Sequence, residues 1–116
     1  MEDQCRYEMK GETMVIDLPQ ELDHDCAGRI RRETDLYFVE KKVRNVIFNY
    51  RNTSFMDSSG IGLVMGRYRE VRYLRGNVYI VGVGKALERI MEISGLYRVA
   101  RLKDTVEQAM REIEGA

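Results

Sequence analysis

A short apolar run that changes into an amphipathic segment, at residues 43–74, constrains the fold of this chain more than any other feature. The run from Val43 to Tyr50 (V-R-N-V-I-F-N-Y) is rich in β-branched and aromatic residues and is too short for an amphipathic helix. From Ile61 to Leu74 the apolar residues recur at helical spacing instead. The pattern predicts a buried strand followed by a helix, the unit of an α/β sheet.

The segment between this strand and this helix contains two serines and an acid, in S-F-M-D-S-S-G-I-G at residues 54–62. Asp57, Ser58 and Ser59 fall at the predicted helix N-terminus, where free backbone N–H groups and the helix dipole stabilise an anion. A hydroxyl held there can receive a phosphate. Because Ser and Asp cap helices in most proteins, a simple capping role for these residues also stays open.

The remaining periodicities predict strands and helices in the order ββαβαβαβα. An alternating hairpin turns at residues 10–12, and Asp23 is a suitable N-cap for a first helix that closes at Lys41 and Lys42. Later come a strand at 78–81, a helix stopped by Gly95, a short strand at 99–102 and a helix whose capping box has Asp104 in the cap position. Helical crossovers require mostly parallel pairing among the later strands. We therefore predict one α/β domain over residues 1–116, with a mixed sheet and four helices.

Charge and hydropathy exclude several classes of protein. The chain of 116 residues has 19 basic and 19 acidic side chains, and a dedicated nucleic-acid binder would usually carry a net basic surface. Its uncharged stretches are far shorter than the roughly 20 residues of a membrane-spanning helix. The first residues include Glu2 and Asp3 and no apolar run, so we expect no secretory signal and a cytoplasmic protein.

The cysteines and the histidine do not form a metal-binding pattern. Cys5 and Cys26 lack C-x-x-C spacing, and two such thiols in a cytosolic chain are usually reduced and structural. His24 is the only histidine. We expect neither a metal site nor a cofactor.

Three islands of the sequence resemble one protein family. They are the segment at 54–62 followed by G-R-Y at 66–68, E-L-D-H at 21–24, and I-S-G-L at 93–96. They resemble the phosphorylation segment, the opening of the first helix and the segment after the third helix of bacterial anti-sigma factor antagonists, the STAS-domain family. The resemblance runs from roughly residue 5 to residue 113, so the whole chain resembles a single STAS domain.

The resemblance implies a phosphorylation switch and no enzymatic activity. Family members bind, when unphosphorylated, an anti-sigma factor that is itself a serine kinase, and so release the sigma factor. The kinase then uses ATP to phosphorylate the antagonist and ends the association, and a PP2C-type serine phosphatase restores it. The family's acceptor serine falls on Ser58 here, with Ser59 as the second choice. We expect the free protein to be a monomer.

The resemblance also indicates a surface for the partner. Asp23 matches a family acid that meets a basic group on the partner, although a role as a simple helix cap stays open. Asp57 and Ser59 flank the acceptor on the same surface. Gly62 and Gly66 lie on one face of the second helix, and either close packing of that helix or the approach of a partner explains their lack of side chains.

Other functions stay open at this point. In an enzyme, Ser58 would be a nucleophile with His24 as its base, but the first glycine of G-x-S-x-G is missing. Nucleotide binding is a further alternative, but the sequence lacks a G-x-x-x-x-G-K-[ST] motif. Within the family, the short single-domain chain and the S-F-M-D-S-S-G-I-G match favour a sporulation antagonist over an antagonist in a stress-response system. Two interpretations also stay open for four arginines, a nucleic-acid stripe, meaning a basic surface that binds nucleic acid, and a solvated helix face. The four arginines are Arg67, Arg69, Arg72 and Arg75.

Overall fold

The computed structural model describes residues 5–115, in which strands and helices are interspersed along the chain. The strands are β1 (Arg6–Lys10), β2 (Thr13–Asp17), β3 (Glu21–Leu22), β4 (Asn45–Asn49), β5 (Phe55–Met56), β6 (Val78–Val81) and β7 (Arg101–Lys103). The helices are α1 (His24–Glu40), α2 (Ser58–Arg72), α3 (Lys85–Ser94), α4 (Leu96–Val99) and α5 (Val106–Gly115). The predicted domain limits, and with them Glu2 and Asp3, lie outside the described residues.

Five strands form a mixed sheet in the order β1-β2-β4-β6-β7. The hairpin strands β1 and β2 are antiparallel, whereas β2–β4, β4–β6 and β6–β7 are parallel. The predicted α/β fold with mostly parallel later strands is confirmed. Because parallel neighbours all end at one edge, the loops that follow β2, β4 and β6 meet there.

The sheet separates two apolar layers, since successive residues of a strand face opposite sides. Phe48 of β4 belongs to the larger core beneath α1, α2 and α3, together with Ile30 and Leu63. Its neighbour Ile47 faces the other side and packs in a smaller cluster with Ala109 of α5. Because β4 is covered on both faces, it is a nearly continuous apolar run.

The structure contains three short elements that the periodicity did not predict. Strands β3 and β5 form a separate two-stranded parallel sheet, and α4 makes the helix count five rather than four. Gly95 stops α3 as predicted, with φ of 84°, and α4 follows directly. Since Val99 belongs to α4, the last strand begins at Arg101 instead of residue 99. Across residues 5–115, no helix has both the length and the apolar character needed to span a membrane.

The cap of the last helix is one residue later than predicted. Thr105 Oγ1 accepts a hydrogen bond from the Gln108 backbone N–H at 3.1 Å. The Gln108 side chain reaches back and accepts from the Asp104 backbone N–H at 2.9 Å. The first bond places Thr105 in the cap position, so the assignment of the cap to Asp104 was wrong. The second bond is a variant of the capping box, because it goes to the N–H of the residue before the cap.

Candidate functional site

The N-termini of α1 and α2 lie side by side because two short strands pair just before them. Strands β3 and β5 run in parallel with Leu22 opposite Met56. The Asp57 backbone N–H then donates to the Leu22 carbonyl at 3.3 Å. Each helix begins two residues after its paired strand residue, so both helices leave this edge in the same direction and their free N–H groups are neighbours.

Both predicted site acids are helix caps. The Asp23 carboxylate accepts from the Cys26 backbone N–H at 3.0 Å at the start of α1. Asp57 accepts from the Ser59 backbone N–H at 2.9 Å at the start of α2. The hydrogen bonding of Cys26 is the main cause that lowers the pKa of Asp23, so this carboxylate is charged at neutral pH. Capping does not decide whether either acid also contacts a partner, so that role stays a prediction.

The two serines have different environments although they are adjacent. Ser58 is the first residue of α2 and is exposed, and its hydroxyl makes no hydrogen bond to any residue in the described part of the chain. Ser59 is half-buried, and its Oγ lies 3.0 Å from Nδ1 of His24 on α1. Sequence reasoning missed this contact. In the enzyme interpretation His24 was paired with Ser58, whereas the structure places its ring against Ser59.

The glycines of α2 divide into one that is packed and two that are open. A Cβ on Gly60 would lie 2.5 Å from Met56 Cγ and 2.9 Å from Leu22 Cδ2, so this position admits only glycine without a shift of its neighbours. A Cβ on Gly62 or Gly66 would meet no atom within 4 Å. Close packing therefore accounts for Gly60 and fails as an explanation for Gly62 and Gly66. A partner role for Gly62 stays a prediction.

Arg67 is buried, so it belongs neither to a solvated helix face nor to a nucleic-acid stripe. Only 4% of it is exposed, because α1 covers this side of α2. Its Nη2 donates to the Arg31 carbonyl at 3.0 Å and to Thr34 Oγ1 at 2.6 Å, and its guanidinium lies 4.5 Å from the ring centroid of Phe38. Sequence reasoning gave Arg67 the wrong environment. The side chain instead joins the two helices whose N-termini form the site.

Two carboxylates complete the surroundings of Arg67. Asp35 of α1 accepts from Nη2 at 2.9 Å, and Glu70 of α2 accepts from Nη1 at 2.8 Å. Both acids are about half exposed, so the charge of the buried guanidinium is balanced by groups that water also reaches. These contacts connect α1 and α2 around Arg67.

Phe55 adds an exposed apolar side chain three residues before Ser58, and sequence reasoning did not include it in the site. It is 48% exposed on β5, while the next residue, Met56, is buried. The alternation of a short strand explains this difference, and the Phe55-Met56 pair would have been the signal to look for.

The described residues offer no metal cluster at this site. No three His, Cys, Asp or Glu side chains between residues 5 and 115 are grouped so that they could hold a metal ion. A cleft of about 740 Å³ lies at the amino ends of the strands, and Arg44, Asn45 and Asn77 are among its lining residues. Ser58 lies at the opposite edge of the sheet and is exposed, a position suited to docking of a protein surface.

Comparison with known proteins assigns the family. The family model described as "STAS domain" matches residues 4–109. An anti-sigma F factor antagonist of Lysinibacillus sphaericus is 36% identical over 104 residues, which cover 90% of this chain and 88% of the relative. The solved structure of SpoIIAA, an anti-sigma factor antagonist, in its unphosphorylated form has a TM-score of 0.80 and 31% identity, covering 97% of this chain and 100% of that one. The Bacillus cell fate determinant SpoIIAA in its phosphorylated form has a TM-score of 0.76 and 33% identity, covering 95% and 99%. The chain therefore belongs to the STAS domain family and is similar over nearly its whole length to the anti-sigma factor antagonists of the SpoIIAA type.

Proposed function

We propose that this chain is a phosphorylation-switched anti-sigma factor antagonist. Its unphosphorylated form binds an anti-sigma factor that is a serine kinase, and the sigma factor is released. The kinase transfers a phosphate from ATP to Ser58 and thereby ends the association, and a PP2C-type serine phosphatase restores it. The protein acts in the cytoplasm in the sporulation system, is not itself an enzyme, and is a monomer when free.

The single observation that carries this proposal is the exposed hydroxyl of Ser58 at the first position of α2, which makes no hydrogen bond within residues 5–115. A kinase must place the γ-phosphorus of ATP in line with the attacking oxygen, which requires an accessible hydroxyl. The nearby surface includes the exposed ring of Phe55 and the open backbone at Gly62. These features support docking of a partner directly over the acceptor, with Asp23, Asp57 and Ser59 in the same surface.

A phosphate on Ser58 should act on the interface rather than on the fold. It adds about −1.5 to −2 charges at neutral pH, and the N-terminus of α2 stabilises negative charge at this position. The similarity of this chain to both the unphosphorylated and the phosphorylated form of SpoIIAA, at TM-scores of 0.80 and 0.76, supports a fold that tolerates the modification. A dianion buried against a partner without a compensating arginine loses its hydration instead.

The energy needed for a switch is small. A hundredfold loss of affinity corresponds to about 2.7 kcal/mol. Removing the hydration of a dianion, or crowding it, easily exceeds this amount. One phosphate therefore suffices to separate the two proteins without any change in backbone structure.

Substitution of Ser58 tests the proposal. Ser58→Ala should bind the anti-sigma factor as tightly as the unmodified chain and should stay bound in the presence of ATP, because it cannot be phosphorylated. Ser58→Asp should bind about 100-fold more weakly. Ser54 is a matched control, since it is exposed in the same segment but lies before the helix; Ser54→Asp should bind normally.

The acceptor is identified by incubating the chain with ATP and candidate anti-sigma kinases and by locating the phosphate with mass spectrometry. Binding is measured by isothermal titration calorimetry before and after the reaction. Tight binding by a stoichiometrically phosphorylated chain, or a phosphate on neither Ser58 nor Ser59, would contradict the proposal.

A further inference from the structure

The structure distinguishes two adjacent serines that the periodicity of the sequence could not separate. Ser58 is exposed and its hydroxyl is uncommitted within residues 5–115, whereas Ser59 is half-buried. The Ser59 backbone N–H is used by the Asp57 cap at 2.9 Å, and its hydroxyl oxygen lies 3.0 Å from His24 Nδ1. The backbone N–H and the hydroxyl of Ser59 are therefore both engaged, and the hydroxyl is directed toward α1.

The backbone position of His24 is set by secondary structure. His24 is the first residue of α1, directly after the Asp23 cap, and the pairing of β3 with β5 sets that helix start beside the start of α2. The two side chains come from residues 35 positions apart in the sequence. Their hydrogen bond spans the two helix N-termini at the surface where the partner is proposed to dock.

From this geometry we propose that His24 holds the hydroxyl of Ser59 against α1 and so confines phosphorylation to Ser58. This inference rests on the proposed function. In the reaction, the bond from Ser58 Oγ to the γ-phosphorus of ATP forms, and the bond from that phosphorus to the β,γ-bridging oxygen breaks. ADP leaves, and the hydroxyl proton passes to a base of the kinase. Ser59 could react in the same way only after its hydroxyl left His24 and rotated into solvent.

The opposite chemistry would be activation of Ser59, because a histidine can also act as the base for a serine nucleophile. Such pairs rely on a third group that orients the imidazole and stabilises its charged form. No residue between 5 and 115 provides that group, since the described contacts of the His24 ring end at Ser59. Ser59 is also the more buried of the two serines. Retention of the hydroxyl, rather than its activation, agrees with both observations.

The test uses chains in which Ser58 cannot react. We expect Ser58→Ala to be phosphorylated on Ser59 very slowly, and Ser58→Ala with His24→Ala to be phosphorylated there about 3- to 10-fold faster, as the loss of one hydrogen bond allows. His24→Asn places an amide near the position of Nδ1 and should return the double variant to the slow rate. The measured quantity is the initial rate of phosphate incorporation at Ser59, mapped by mass spectrometry.

The wild-type chain, labelled in the same assay, keeps the inference separate from the proposed function. Normal labelling of wild-type Ser58, with no faster labelling of Ser59 in the double variant, overturns the inference alone. Slower labelling of Ser59 in the double variant overturns it in favour of activation. If no anti-sigma kinase labels the wild-type chain on either serine, the proposed function fails and the inference fails with it.

The contact itself can be checked without a kinase. His24 is the only histidine, so its ring nitrogen signals are unambiguous in nuclear magnetic resonance spectra. Ser59→Ala should shift the Nδ1 signal, and Ser58→Ala should leave it in place. Identical Nδ1 signals in the wild-type chain and in Ser59→Ala would show that the hydrogen bond does not form in solution and would overturn the inference.

Discussion

Replacing Gly62 with alanine separates the stability of this fold from the binding of its partner. Gly62 lies in the second turn of α2, and an added Cβ would meet no atom within 4 Å. In a helix interior, alanine is favoured over glycine by about 0.5 to 1 kcal/mol, because glycine loses more backbone freedom on folding. We expect Gly62→Ala to raise the free energy of unfolding by that amount and the melting temperature by about 2 to 4 °C.

Gly60 provides the matched control on the same helix. Its Cβ would lie 2.5 Å from Met56 Cγ and 2.9 Å from Leu22 Cδ2, at the junction of β3, β5 and α2. Overpacking of this kind costs about 1 to 3 kcal/mol, so Gly60→Ala should lower the free energy of unfolding. Urea unfolding followed by circular dichroism measures both variants, and the two changes should have opposite signs.

The affinity of Gly62→Ala for the anti-sigma factor tests whether Gly62 belongs to the partner surface. Gly62→Ala should bind the anti-sigma factor at least about tenfold more weakly, a change of about 1.4 kcal/mol, because its methyl group stands on the proposed docking surface. Gly66→Ala has the same open surroundings one turn farther from Ser58 and should lose less affinity. If Gly62→Ala lowered the free energy of unfolding by more than about 1 kcal/mol, the conclusion that this helix face has room for a methyl group would be refuted. Unchanged binding by the well-folded variant would remove Gly62 from the partner surface.

Two further outcomes concern the stability of the domain. Arg67→Ala should lower the free energy of unfolding by about 2 to 4 kcal/mol, because the charged hydrogen bonds to α1 and the packing are lost together. Arg67→Met keeps an apolar stem, so its free energy of unfolding should fall by less than half of that amount. Urea unfolding measures both variants. Hydrogen bonds from Lys103, and next from Arg101, lower the pKa of Glu112 from 4.5 to about 2. Because the pKa of Glu112 is lower in the folded chain than in the unfolded chain, ionised Glu112 stabilises the fold above pH 4.5, and this stabilisation is lost as the pH falls toward 2. The urea midpoints of wild type and Glu112→Gln should therefore differ at pH 7 and converge near pH 2.

Most of the α/β architecture could be predicted because its signals are local. The apolar run at 43–50 and the helical spacing after Ile61 correspond to β4 and α2, with ends that differ by a few residues. Strands β3 and β5 have two residues each, too few for a periodicity. Their pairing joins segments more than 30 residues apart, so no local sequence pattern predicts it.

Local chemistry misassigned Arg67 and left the two serines equivalent, for the same physical reason. A charged residue between apolar helix positions is usually solvated, but the Thr34 hydroxyl and the Arg31 carbonyl of α1 bind this one in the interior. Likewise, Ser58 and Ser59 are indistinguishable until α1 brings His24 to one of them.

The sequence by itself determined the longer strands and helices, and it marked a serine at a helix start as a candidate acceptor, since both depend on interactions within a few residues. Tertiary structure alone decided which glycines are open, which arginine is buried and which serine contacts His24. Those properties depend on surfaces from distant segments, and they exist only once α1 and α2 are aligned by the pairing of two short strands.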